Sequence, residues 1–387
     1  MLSPLARALP AMTALQATIA LGMFALSVLA PQLGLSVPQL AALNTLLFSV
    51  GALGAAYAGR LLERFGDWNV AALCAAAVAA GMGCLLVGGP LGPWLAALLF
   101  GIAFGPETPA SASVLSRFTP AAKRPWLFSV RQTGNQIGAM AGSLLLPLLI
   151  VTNPQLPYLV VGAVGLAMAA WCGWLSRDPY LARGAVSGGV VSGSTRAALR
   201  TVLGSRPLRA LSFAALCYTA VQMCLNTFLM SLAVRDWQLD VGTASLWVAG
   251  LQAAGLGGRL FWGWLAQRST SAARLLGGLG LLIAASGAVV MAWPGARSGA
   301  GLGLAVAVLG FSASGWNGVL VAEVSRVAGP RDAGALTGAV LMFGYAGLAL
   351  SPLAFAALSA AVSMSVAFIA LFAAASIAGL VLLLDRR

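Results

Sequence analysis

The sequence predicts an all-α polytopic membrane protein with twelve transmembrane helices arranged as two related six-helix halves. Three observations predict it. Of 387 residues, 60% are apolar and only 8% charged, against roughly 45–50% and 25% in soluble domains. Mean hydropathy is +0.93, and the apolar residues run along the whole chain instead of forming one anchor. The charges fall at intervals that leave room for one or two crossings each. A soluble enzyme on a single anchor, a disordered chain and a fibrous chain are excluded together.

A crossing needs about 20 apolar residues. The charge-free interval from Arg7 to Arg60 is interrupted at Pro31-Gln32 and Ser36-Val37-Pro38 and holds helices one and two. The interval from Asp67 to Glu107 is interrupted by Gly88-Gly89-Pro90 and Gly92-Pro93, and that from Arg131 to Arg177 by Asn153-Pro154; these give helices three to six. Single crossings are expected near 209–231, 242–265, 272–293 and 299–321. A last pair lies between Asp332 and Asp385, broken at Ala361-Val362-Ser363. Arg7 ahead of an apolar run has the look of a signal peptide, but without a convincing cleavage site it reads as the start of the first crossing.

With the N-terminus inside, one side of the membrane collects Arg60 and Arg64, then Arg117, Lys123 and Arg124, then the arginines from Arg177 to Arg209, Arg268 and Arg274, Arg326 and Arg331, and Arg386 and Arg387. The other side has Arg235 and Arg297. Basic loops are retained in the cytoplasm during insertion, so both termini are expected there, in a bacterial inner membrane. The net charge of +13 is then a by-product of topology and implies no nucleic-acid partner. The Gly-, Ser- and Val-rich stretch Gly184 to Thr195 reads as a flexible linker. It divides the chain into a bundle of residues 1–180, a cytoplasmic connection of 181–204 and a bundle of 205–387.

Composition also removes chemistry. There is no histidine, and the five cysteines lie in apolar stretches, so His-based triads, His-rich metal sites and disulfide frameworks are excluded. Gly255-x-Gly257 and Gly301-x-Gly303 fall inside helices, where a dinucleotide turn has no place, and no phosphate loop ends in Gly-Lys. No cofactor, no metal and no enzyme activity is expected. Cys217 and Cys224 with Met223 and Met230 would suit a soft metal, yet these residue types also fill apolar interfaces.

The halves share motifs at a similar offset. Ser116-Arg117 and Thr133-Gly134 have counterparts in Ser325-Arg326 and Thr337-Gly338, and Gly59-x3-Glu63-Arg64-x-Gly66 has one in Gly263-x3-Gln267-Arg268. Twelve helices in two halves, with Gly59, Glu63, Arg64 and Gly66 between helices two and three, resemble the major facilitator superfamily over the full chain. In that family the loop carries Asp where this chain has Glu63 and a basic pair where it has Asp67-Trp68. The resemblance implies a gating role for Gly59, Glu63, Arg64 and Gly66, and for Gly263 and Arg268 in the second half. It also implies secondary transport by alternating access, one half rocking against the other around a midplane site.

An ionisable side chain in mid-membrane costs about 2.5–3.5 kcal/mol on insertion scales, so each needs a partner or a watery cavity. Glu107, deep in helix four, and Arg131, early in helix five, are read either as a satisfied pair or as cavity lining. Arg259 in helix eight joins them if helices five and eight face each other as the resemblance implies. Gln132 and Asn135 follow Arg131, while Gly134, Gly138 and Gly142 carry the spacing of close helix packing. Gln222 and Asn226 share a face of helix seven; Gln16, Gln252, Trp316, Asn317 and Tyr345 complete a convergent polar set. The arginines favour a small organic anion as substrate, with an amphiphile exporter or a soft-metal transporter as alternatives. Glu107 is the expected proton carrier, because the other acids lie near loops. The expected partners are a small-molecule solute, protons and the lipid bilayer, and the expected state is a monomer.

Overall fold

The computed structural model describes residues 3–119, 124–182, 195–269, 271–293 and 299–384, and the described residues are helical apart from short connections. In the first half α1 spans Pro4–Val28, α2 Val37–Phe65, α3 Asp67–Val87, α4 Gly92–Arg117, α5 Arg124–Thr152 and α6 Leu156–Leu175. Two short helices follow, α7 (Pro179–Ala182) and α8 (Thr195–Gly204). The second half contains α9 (Arg206–Ser231), prolonged by a π-helical turn over Leu232–Asp236, then α10 (Val241–Arg268), α11 (Ala272–Met291), α12 (Ala300–Ala313), α13 (Trp316–Ala361) and α14 (Met364–Leu384).

The helix ends are written locally. Ser3 caps α1 ahead of Pro4, and Ser36 forms a capping box with Gln39 at the start of α2. Both place a side-chain oxygen on otherwise unpaired N–H groups. Gly66 is the whole connection between α2 and α3, with φ of +79°, a conformation that favours glycine. Gly88 and Gly89, at φ of +76° and +77°, end α3 in the same way. The Asn153 carboxamide accepts from Gln155 N at 2.8 Å, and Ser363 Oγ accepts from Val366 N at 3.2 Å before α14.

One expected crossing is built differently. Helix ten, expected as an unbroken run over 299–321, stops at Ala313 and restarts at Trp316 after Ser314-Gly315. At Gly315 an added Cβ would lie 2.1 Å from Trp262 Cδ1 of α10, so the indole packs directly against the backbone at the break. From Trp316 the helical assignment continues for 46 residues. Two apolar spans meet in this stretch, Ala300–Ala328, shared by α12 and the start of α13, and Leu336–Ala361, within α13; they correspond to crossings ten and eleven. Twelve crossings remain. Ten spans among the described residues are apolar enough to cross by composition; α4 and α10, which carry Glu107 and Gln252, are long enough but more polar. The expected linker is also partly ordered, since Pro179–Ala182 and Thr195–Gly204 are helical; most of the Gly184–Thr195 stretch lies outside the described residues.

The chain divides into two compact units, Met1–Val190 and Val191–Arg387, and the same pairing recurs inside each. In the first, α1 packs on α5, α2 on α4 and α3 on α6; in the second, α9 packs on α13, α10 on α12 and α11 on α14. Glycine makes these contacts close. A Cβ on Gly138 would lie 2.1 Å from the Ala17 carbonyl oxygen of α1, and one on Gly105 would lie 2.3 Å from that of Gly51 on α2. In the second unit the corresponding distances are 2.2 Å from Gly310 to the Leu251 oxygen and 2.8 Å from Gly347 to the Leu216 oxygen. Helices in lipid gain little from the hydrophobic effect, so backbone approach at small residues carries much of their association. Gly138→Ala should accordingly cost about 1–3 kcal/mol through overpacking and lower the thermal midpoint of the detergent-purified protein. Gly173→Ala on α6, where no atom lies within 4 Å of the added Cβ, should leave the midpoint unchanged or raise it.

Candidate functional site

In the first unit, Gly105-Pro106 presses α4 against α2: Pro106 Cδ lies 3.3 Å from a Cβ built on Gly54. Glu107 follows about 22 Å along α4 from Gly92 and meets α5. Arg131 Nη2 stands 2.9 Å from each of the two Glu107 carboxylate oxygens, with both side chains 2% exposed. Ser111 Oγ donates to Oε1 at 2.8 Å and Thr108 Oγ1 to Oε2 at 3.0 Å, while Thr108 Oγ1 in turn accepts from Arg131 Nη2 at 3.3 Å. The carboxylate is thus fully dressed. The guanidinium is not: Arg131 Nε is buried with no hydrogen-bond partner. Gln16 on α1, whose Cβ packs 3.3 Å from a Cβ built on Gly134, likewise has a buried Oε1 without a partner, as does Gln136. Gln132 and Asn135 are half-buried beside them in the sequence of α5.

The second unit gathers an uncharged polar group. Trp316 Nε1 donates to Gln222 Oε1 at 3.2 Å, and Gln252 Nε2 donates to Asn226 Oδ1 at 2.9 Å. The Tyr218 ring meets the Trp316 indole edge-on with centroids 6.3 Å apart. Three helices, α9, α10 and α13, therefore bring together Gln222, Asn226, Gln252 and Trp316. Arg259 and Asn317 are half-buried, and Tyr345 is exposed. Cys217, Cys224, Met223 and Met230 are all buried on α9, and among the described residues no three metal-ligating side chains of the His, Cys, Asp or Glu type converge.

The loop between α2 and α3 differs from its expected emphasis. Glu63 and Arg64 are exposed, Arg64 lying over the Phe65 ring. The buried charges are Asp67, on the first residue of α3, and Arg117, on the last of α4, which form an ion pair; Ser113 Oγ also donates to Asp67, at 2.9 Å. Trp68 Nε1 donates to the Leu181 carbonyl at 3.2 Å, and Arg117 Nη1 lies 3.5 Å from the same oxygen, so this pair holds α7 as well. Arg7 closes the same end by pairing with Asp178 at 2.6 Å. The Tyr180 N–H, and then the Arg7 guanidinium, hold the Asp178 carboxyl below the usual carboxylate range. Where the family has a basic pair, this chain has the acid of a pair whose base comes from α4. Gly263 on α10 has open space around it, and Arg268 lies 4.2 Å from the centroid of the Trp264 ring.

Sequence reasoning missed Thr108, Ser111 and the Asp67–Arg117 pair. The hydroxyls were visible as residues one and four places after Glu107, on one helical face, whereas the pairing of Asp67 with a residue 50 positions away had no local signal. Scarcity also proves a weaker guide than expected, because Asp67 and Glu323 are buried along with Glu107. Glu323, however, pairs three residues along its own helix with the exposed Arg326, while Glu107 is held by a second helix. Breaking a buried pair by removing one partner costs about 3–5 kcal/mol, so Asp67→Asn and Arg117→Gln should each lower the thermal midpoint markedly. The exchange Asp67→Arg with Arg117→Asp should restore part of the loss; no recovery would mean that the Leu181 contact, not the pair, fixes this end.

A family model described as Major Facilitator Superfamily matches residues 9–352. The fold is similar to that of a bacterial homologue of the human lysosomal transporter Spinster in an inward-facing, occupied conformation, with 17% identity over 99% of this chain and 97% of that one and a TM-score of 0.75. It is also similar to a variant of the nucleoside transporter NupG, with 13% identity, 98% and 99% coverage and a TM-score of 0.73. A variant of the E. coli fucose:proton symporter FucP gives 17% identity, 98% coverage of both chains and a TM-score of 0.61. Comparison with curated protein sequences gives no match. With the family model spanning most of the chain, and paired helices recurring in two halves, the protein belongs to the major facilitator superfamily.

Proposed function

We propose that this multi-pass membrane transporter moves a small organic anion by alternating access, coupled to protons through Glu107, with both termini on the cytoplasmic side of a bacterial inner membrane. The observation that carries the reading is the buried Glu107–Arg131 pair with its unspent donor. Glu107 neutralises Arg131 through Nη2, and Nε faces no acceptor. Protonating Glu107 would leave a buried guanidinium short of negative charge, which an anionic solute can replace; releasing the proton would return Arg131 to Glu107 and expel the solute. Proton and solute are then linked because each compensates the same cation. Thr108 and Ser111 hold the carboxyl in place in either state. Within the second unit, Gln222, Asn226, Gln252 and Trp316 form an uncharged polar group of their own, and the exposed Glu63 and Arg64 serve gating, not binding.

In proteoliposomes, Glu107→Gln should abolish accumulation driven by a pH gradient and retain counterflow. Undiminished proton-driven accumulation would remove Glu107 from coupling. Arg131→Ala should weaken solute binding roughly tenfold to a hundredfold, the equivalent of one charge-assisted hydrogen bond, and Arg259→Ala should weaken it more than Arg274→Ala does. Binding of cations in preference to anions would overturn the anion reading. Arg64→Ala should slow transport with binding intact; equal loss of both, at unchanged expression, would place Arg64 at the solute instead.

A further inference from the structure

The second unit opens at the N-terminus of α9 with two exposed arginines, Arg206 and Arg209. Its cap residue, Ser205, makes no side-chain hydrogen bond to the first turn. Two adjoining cavities of about 280 and 330 Å³ share Arg209 and Phe213 as walls. One extends past Arg206 to Val381 of α14; the other lies between Leu203 of α8, Ser212 of α9 and Phe343 of α13. Ser212, which lines the larger cavity, is 2% exposed, and its buried Oγ has no hydrogen-bond partner. Arg209 Nη1 donates to the Leu203 carbonyl at 3.0 Å, which anchors the guanidinium at the rim and leaves its other donors available.

We propose that this groove binds an anionic phospholipid, its phosphate held by the Arg206 and Arg209 guanidinium groups and an acyl chain along Phe213 and Val381, with Ser212 in the wall beside it. Phosphate chemistry alone would also admit a free anion. The walls decide for lipid: Phe213 and Val381 are 39% and 40% exposed, an apolar surface that a soluble anion has no use for and an acyl chain covers. Basic pockets between helices at the end of a bundle suit anionic headgroups, each arginine near the surface contributing about 1 kcal/mol. The site involves none of the residues assigned to solute or proton, so it stands or falls separately from the transport reading.

The test is native mass spectrometry of the full-length protein in detergent, titrated with phosphatidylglycerol, phosphatidylethanolamine or inorganic phosphate. The wild type should retain phosphatidylglycerol in preference to phosphatidylethanolamine, and millimolar phosphate should not displace it. Arg206→Gln with Arg209→Gln should lower phosphatidylglycerol affinity about tenfold to thirtyfold, Ser212→Leu should lower it by filling the cavity, and Arg274→Gln, an exposed arginine elsewhere in this unit, should not change it. Equal retention of the two lipids by the wild type would overturn the proposal without any variant having to fold. So would displacement by phosphate, which would assign the groove to a soluble anion, and so would a double arginine variant that binds like Arg274→Gln.

Discussion

Close approach of helix backbones is the interaction on which the rest of this structure depends. In a soluble bundle, apolar side chains drive helices together; in hydrocarbon that drive is absent, and contact has to come from surfaces that fit. Here the fit is made by glycines that bring a carbonyl of the neighbouring helix to within 2.1–2.3 Å of where a Cβ would stand, at Gly105 and Gly138 of the first unit and, at 2.2 Å, Gly310 of the second. The placement of chemistry follows. Gly105-Pro106 commits one side of α4 to α2, which leaves the next residue, Glu107, to face α5, and Gly134 draws the α5 turn after Arg131 against Gln16 on α1.

Charge is then managed by pairing within a unit. Glu107 with Arg131, Asp67 with Arg117 and Glu323 with Arg326 each neutralise a buried carboxylate, but the three arrangements differ in what they can do. Asp67 and Arg117 sit at helix termini and tie α3, α4 and α7 together, so their exchange for a neutral pair would loosen an end of the bundle. Glu323 pairs with Arg326, a neighbour on its own helix. Glu107 and Arg131 join two helices far from their common end, and the guanidinium keeps a buried donor unused, a state that is costly in a low-dielectric interior unless something else uses it.

Much of the architecture was legible from the sequence because its signals are local. Each interruption between crossings coincides with a cap or a positive-φ glycine: Ser36 with Gln39, Gly88-Gly89, Asn153 and Ser363. The twelvefold count, the internal repeat and the packing role of Gly134, Gly138 and Gly142 came from spacing alone. Three features were not legible. At the break at Ser314-Gly315 the neighbour is Trp262 from another helix; the Asp67–Arg117 pair joins residues far apart in the chain; and the burial of Glu323 depends on what packs over it. Of the candidate residues, those that stand out as polar groups in apolar runs were found, whereas the spacing of Thr108 and Ser111 from Glu107 did not stand out because hydroxyls are common in membrane helices, where they bond to their own backbone, as Ser143 and Ser286 do.

The interruption between α12 and α13 has an electrostatic consequence. Peptide dipoles sum along a helix to about half a positive charge at its N-terminus, and an unbroken crossing keeps that charge at the membrane surface. Because α13 starts at Trp316, inside the apolar span Ala300–Ala328, and Gly315 offers no side chain to cap it, the positive end lies within the span itself, one residue from the indole that holds Gln222. The carbonyl end of α12 stops at Ala313, three residues before Trp316, so two opposite partial charges of the backbone face each other inside the span, where a continuous helix would have kept its ends at the two surfaces.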